Sequence, residues 1–160
     1  EPGRLAARRI VRRHRLAERF LVDILGLPWH QAHEEAEVWE HAISDAVEAR
    51  IVIMLDDPAT CVHGNPIPGM AKTVHVSPFP LAQAREGTTV VVERITEEAE
   101  ADKDLLAYLW RQNVRPGRRV KITEVAPWAG TITASGDGQS TTLGLPAATK
   151  IWVYLPNDSA

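Results

Sequence analysis

The sequence predicts a multidomain chain: an all-α region over residues 1–72, a linker over 73–86 and a small SH3-like β-barrel over 87–156. Three observations carry this. Apolar residues recur at helical spacing between Leu5 and Leu55. From Gly87 onward they alternate in short runs rich in valine and isoleucine. Between the two lie stretches punctuated by proline and glycine.

Residues 4–25 read as one long helix, with Leu5, Ile10, Val11, Leu16, Phe20, Leu21 and Ile24 forming its apolar stripe. Gly26 and Pro28 stop it. A second helical region begins at Trp29 and carries Ala32, Ala36, Val38, Trp39, Ile43 and Val47, and the stretch Ser44–Leu55 reads as a separate helix. Residues 61–69, CVHGNPIPG, form a turn-rich excursion, since two prolines and two glycines break any regular element. In the second part, TTVVVERIT and RRVKITEVAP read as strands around a helix at 101–112. GTITASGDGQSTTLGL reads as a hairpin, Ala147–Ala148 as a tight turn and KIWVYLP as the closing strand. Trp39, Trp110, Trp128 and Trp152 read as core or interface residues.

The formal net charge of -3 makes no demand for nucleic-acid binding by the whole chain. The charge is uneven, however. Residues 1–20 hold seven arginines against Glu1 and Glu18, and residues 31–60 hold eight acids against Arg50. A basic amphipathic start reads either as a phosphate-binding face or as an ordinary exposed one. The single cysteine, Cys61, excludes an intrachain disulfide and favours a reducing compartment. No apolar run approaches the roughly 20 residues that span a bilayer.

Metal-type side chains stand at helical spacing. His14 and Glu18 are four apart, and His33, Glu37, Glu40 and His41 share one helix face. Imidazole nitrogen with carboxylate oxygen suits Mn(II), Fe(II), Co(II), Ni(II) and Zn(II). A plainer reading makes His14–Glu18 a surface ion pair and the glutamates a solvated face. Cys61 and His63 read as a packed turn or, less simply, as a transient metal pair.

The stretch HRLAERFLVDILGLPWHQAHEEAEVWEHAISD, followed by GNPIPG, resembles the diphtheria toxin repressor family of iron- and manganese-dependent regulators. The resemblance covers the first 70 residues or so, and the β-like end resembles the family's SH3-like domain more distantly. It implies a winged helix-turn-helix domain upstream of residue 1, carrying the DNA reader and further metal ligands. It then implies a helical dimerisation and metal-binding domain with a two-fold apolar core, and Trp29 capping the dimer face. It implies an ancillary metal site at His14, Glu18 and His33, and a primary site at Glu37, Glu40 and His41. Iron-dependent members carry cysteine at the position of Glu37, and manganese regulators carry glutamate. The harder carboxylate favours Mn(II), with Fe(II) open. From the SH3-like domain the resemblance adds Asp102 as a metal ligand. The partner position, Leu105, has no ligating side chain, and a shifted register would bring in Asp104. Asp102 also reads as an acidic residue at a helix start.

The function so implied is the metal-sensing and dimerisation portion of a cytoplasmic, Mn(II)- or Fe(II)-dependent repressor. It is a homodimer reaching operator DNA through the upstream domain, with no membrane partner and no enzymatic step. The alternatives are a metal-dependent hydrolase, which needs an open coordination position and a base, and a dimerising SH3-like adaptor.

Overall fold

The computed structural model of the chain describes residues 2–70 and 77–157. It divides into two compact units, Glu1–Thr73 and Val74–Ala160. Residues 73–76 of the stretch read as a linker lie outside the described residues.

In the first unit, α1 (Pro2–Asp23) packs on α2 (Ala32–Ala42) and α3 (Asp45–Met54), with a 3₁₀ turn at Trp29–Gln31. Helix α1 buries His14, Ala17, Glu18 and Leu21, a three-and-four spacing that puts all of them on one face. Ala17, Ala32 and Ala36 are fully buried, and their small side chains let the α1 and α2 backbones approach closely. Leu16, Ala17, Leu21, Ala36, Ile43, Ile51 and Ile67 form the core, flanked by Phe20, Leu27 and Trp39. Two nested bonds close the C-terminus of α1: Leu27 N donates to Leu21 O at 2.9 Å and Gly26 N to Val22 O at 3.1 Å. Gly26 sits at φ 72°, a conformation that favours glycine. Helix α2 ends where Ile43 turns extended, and Ser44 caps α3 by accepting from Val47 N at 3.3 Å.

The arginines of α1 explain the uneven charge. Arg12 Nε and Arg13 Nε donate to Glu48 of α3 at 2.6 and 3.0 Å, and Arg9 and Arg13 reach Asp45. Arg12 and Arg15 donate to the carbonyls of Pro68 and Pro66 at 2.7 and 2.6 Å, and Arg19 to that of Thr60 at 3.0 Å. These five basic residues are thus used within the fold, to hold α3 and the excursion against α1.

The second unit is a six-stranded antiparallel sheet in the order β1-β6-β2-β3-β4-β5. Its strands are β1 (Phe79–Pro80), β2 (Thr89–Ile95), β3 (Arg119–Ala126), β4 (Thr131–Gly136), β5 (Gln139–Gly144) and β6 (Ile151–Tyr154). Three short helices join them: α4 (Glu97–Glu100), α5 (Lys103–Arg111) and α6 (Leu145–Ala148). In β2 Val90, Val91 and Val92 are all buried, and in β3 alternation turns Val120 and Ile122 inward. Asp137 and Gly138, at φ 50° and 77°, close the β4–β5 hairpin with the two positive φ angles of a type I′ turn. Two readings need correction. Residues 79–83, read as linker, carry β1 and a 3₁₀ turn, because an edge strand tolerates Pro80. Of the two readings of Trp128, core is excluded and interface kept, since it is 83% exposed on the 3₁₀ turn after β3. No helix among the described residues is long and apolar enough to cross a membrane.

Candidate metal centre

The geometry brings three of the expected ligands together inside the helical unit. Neighbouring turns of α1 present His14 and Glu18, and the first turn of α2 presents His33. His14 Nε2 stands 3.1 Å from Glu18 Oε1 and 3.0 Å from His33 Nδ1, and His33 Nδ1 is 3.2 Å from the same Glu18 oxygen. Glu18 is fully buried, and its Oε2 has no hydrogen-bond partner among the described residues.

A second layer comes from the excursion. Cys61 N bonds Asn65 O at 2.8 Å and Gly64 N bonds Cys61 O at 3.0 Å, so the turn closes on itself and presents Cys61 and His63 inward. His63 Nδ1 lies 3.4 Å from Glu18 Oε1, and its Nε2 lies 3.3 Å from the Trp29 carbonyl. The Trp29 carbonyl and the Glu18 carboxylate both only accept, so the His63 ring is held between two acceptors. Trp29 is buried, its Nε1 donating to Val62 O at 3.1 Å and its ring 4.6 Å from that of His63. It therefore packs the excursion and presents no free face for a dimer, which corrects the sequence reading. One ligating atom each from His14, Glu18 and His33 lies within 4.8 Å of the others, and the same holds for Glu18, Cys61 and His63.

Electrostatics follow from this crowding. Burial disfavours charge on His14, but the Glu18 and Glu40 carboxylates outweigh it and hold its pKa above the ordinary 6.5. Burial would raise the Glu18 carboxyl, but His14, His33 and His63 outweigh it and keep it well below the usual carboxylate range. A buried carboxylate with an orphan oxygen, ringed by imidazole nitrogens and a thiol, is a donor set that fits a divalent cation once the imidazoles give up their protons.

The other expected ligands are more open. Glu40 has one oxygen, Oε2, 2.7 Å from His14 Nδ1 and the other, Oε1, 3.1 Å from His41 Nε2. The His41 and Glu37 side chains are 69% and 61% exposed, and Glu37 Oε1 stands 3.6 Å from His33 Nε2. Asp102 lies in the second unit and caps α5, accepting from Leu105 N at 3.0 Å. The depth at which Cys61 and His63 meet Glu18 was invisible in the sequence, where they stood as a bare Cys-x-His pair in a turn.

The chain is similar to known proteins over both units. Residues 1–69 match the iron dependent repressor metal binding and dimerisation domain, and residues 79–155 match the FeoA domain. The iron-dependent repressor IdeR of Mycobacterium tuberculosis is 42% identical over 141 residues, covering 81% of this chain and 60% of that protein. The diphtheria toxin repressor of Corynebacterium diphtheriae is 35% identical over 152 residues, covering 88% of this chain and 65% of that one. A solved manganese-dependent transcriptional repressor in complex with manganese superposes with a TM-score of 0.84 at 40% identity, covering 96% of this chain and 72% of that one. Fold and site define a class: a helical unit of metal-type ligands followed by an SH3-like FeoA domain. The chain belongs to the family of metal-dependent transcriptional repressors that includes IdeR and the diphtheria toxin repressor. It spans 60% of the length of the mycobacterial relative.

Proposed function

We propose that this chain is the metal-sensing and dimerisation portion of a Mn(II)- or Fe(II)-dependent repressor that controls metal homeostasis in the cytoplasm. The observation that carries this is the convergence of His14 Nε2, Glu18 Oε1 and His33 Nδ1 around a buried carboxylate with an orphan oxygen. His14, Glu18 and His33 form the ancillary site, with Cys61 and His63 as further donors at Glu18. Glu37, Glu40 and His41 supply the exposed, primary cluster. A bound divalent cation supplies the positive charge that the buried Glu18 needs. His14, His33 and the excursion come from three separate segments, so donors drawn to one point hold α1, α2 and residues 61–63 in one arrangement. Preference for that arrangement is what shifts a regulator between states. No bond is broken in such a switch, so the protein acts as a regulator and not as an enzyme. It works as a homodimer and meets operator DNA through a helix-turn-helix domain preceding residue 1. Asp102 serves as the α5 cap in this reading.

Glu37 is a hard donor and favours Mn(II) at the exposed cluster, whereas the thiol of Cys61 makes the buried one tolerant of softer ions. The test is a titration with Mn(II), Fe(II) and Zn(II) of the protein and its Glu18→Ala, Glu37→Cys and Glu40→Ala variants. Glu18→Ala should remove the buried binding event, and Glu37→Cys should move preference at the other from Mn(II) toward Zn(II). Mn(II) isotherms indifferent to all three changes would overturn the assignment.

A further inference from the structure

The basic residues of the sheet unit are used differently from those of α1. Residues 111–121 hold Arg111, Arg115, Arg118, Arg119 and Lys121, and no acid occurs from Leu105 to Thr123. The backbone fixes where these charges stand. Arg111 lies in the last turn of α5. Arg118 N donates to Arg115 O at 3.0 Å across a turn in which Gly117 takes φ 88°. Gly117 N donates to Val92 O at 2.8 Å and Val92 N to Arg118 O at 2.9 Å, so β2 pins the turn from both sides. In β3 the alternation that buries Val120 and Ile122 leaves Arg119 and Lys121 exposed on the opposite face. Arg115 is held flat: its guanidinium lies 4.1 Å from the centroid of the Trp110 ring, and its Nε donates to Asn113 Oδ1 at 3.0 Å. Burial and the neighbouring Arg118 charge both lower the Arg115 pKa, the mark of two like charges held close. Asp137 accepts from Asn113 Nδ2 and stands 3.8 Å from Arg118 Nη1. Among the described residues no ion pair engages Arg111, Arg115, Arg119 or Lys121. In α1, by contrast, Arg9, Arg12 and Arg13 meet the carboxylates of Asp45 and Glu48.

We propose that the end of α5, the turn after it and the start of β3 form a second, sequence-independent contact to the phosphate backbone of duplex DNA. This rests on the reading of the protein as a DNA-binding repressor, and adds a surface to the helix-turn-helix domain of that reading. Four of the five charges are guanidiniums, whose planar donor edges match phosphate oxygens. An anion beside Arg115 and Arg118 relieves the repulsion between them. Charges spread over a helix end, a turn and a strand fit a row of phosphates better than a single one. Contacts to the backbone hold a protein on the duplex and carry no base information, so this surface adds affinity and leaves the choice of operator to the reader.

The experiment follows binding of the metal-free chain to fluorescent, random-sequence duplex DNA by anisotropy across a salt series that starts at about 50 mM. If Arg115, Arg118, Arg119 and Lys121 each neutralise one phosphate, log K falls against log salt with a slope of about -3.6. The variant carrying Arg119→Gln and Lys121→Gln, both at exposed positions, should unfold at the parent's temperature. It should flatten that slope by about 2 and weaken binding about tenfold or more at the lowest salt. A second variant, Arg4→Gln with Arg8→Gln, removes two exposed arginines of α1 and should bind DNA like the parent. No binding by the parent at low salt overturns the proposal, as does a slope that Arg119→Gln with Lys121→Gln leaves unchanged. Loss of binding in the α1 variant equal to that in the β3 variant also overturns it, because the charge would then act without regard to place. Polyglutamate that displaces the protein as well as unlabelled DNA does would overturn the assignment to phosphate. The repressor reading stands or falls on the Mn(II) isotherm, which neither pair of changes touches, so its failure and the failure of this surface are read separately.

Discussion

The two units bury different things. Six polar or charged residues are buried among the described ones, and His14, Glu18, His63 and Asn65 all belong to the helical unit. The sheet unit fills its centre with Val90, Val92, Ile95, Leu106, Leu109, Ile122 and Ile151, each essentially inaccessible. A sheet core of this kind is held by non-directional apolar burial and tolerates no void. The helical unit buries charge beside its apolar core and depends on its compensation. One unit is built to persist, and the other to respond to what neutralises Glu18.

That contrast can be broken in order of size. The largest effect expected is from Ile122→Ala, at about 3 kcal/mol, because a fully buried side chain is replaced by a cavity. Thermal unfolding should show the loss, while the Mn(II) isotherm of the helical unit stays in place. An isotherm that moves would mean the units are not separable in this sense.

Next comes Glu18→Ala. Mn(II) at a hundred times its dissociation constant should stabilise the protein by about 2.7 kcal/mol. In Glu18→Ala the share of that gain owed to the buried site should disappear from the thermal shift, whereas Ile122→Ala should keep it. Glu48→Gln follows, at about 2 kcal/mol, since charge-assisted bonds from Arg12 and Arg13 to a side chain only 15% exposed are lost. Burial would raise the Glu48 carboxyl, but the two guanidiniums outweigh it and lower its pKa below 4.5. The sign follows: its contribution is complete above 4.5 and fades as pH falls through the lowered native value. Denaturation of the metal-free protein across pH should therefore show the Gln deficit at neutrality and its closure in acid. A deficit constant with pH would show that shape, not charge, matters there. The smallest effect, under about 0.5 kcal/mol, is expected for Trp128→Ser, since 83% of that residue already faces solvent.

The same contrast governs what was legible in the sequence. Helix α1 and the β4–β5 hairpin were readable because periodicity and the Gly-Asp-Gly turn are local signals. Helix α4 was missed because Glu97, Glu98 and Glu100 hide a single turn inside an acidic run. Strand β1 was missed because Pro78 and Pro80 argue against a strand anywhere but at an edge, and edges are decided by tertiary pairing. His14 and Glu18 were legible through helical spacing, and their grouping with His33 came from the resemblance to the repressor family. The approach of Cys61 and His63 to Glu18 was not legible, since only the folded excursion brings them there. The α1 arginines misled for the same reason: their acceptors are carbonyls and acids distant in sequence.

The clamp of Arg15 and Arg19 on the excursion has a further consequence. The helix that offers Glu18 also grips, one residue onward, the loop that offers Cys61 and His63. Successive residues on a helix are turned by about 100°, so donor and grip occupy different azimuths of one rigid rod. If α1 slides along its axis, Glu18 and the loop travel as one piece, away from His33 on α2. If α1 rolls, the grip drags the loop sideways while Glu18 turns out of the cage. One rigid rod thus carries both the buried carboxylate and the grip on the loop, and any displacement of α1 reaches Glu18, Cys61 and His63 together.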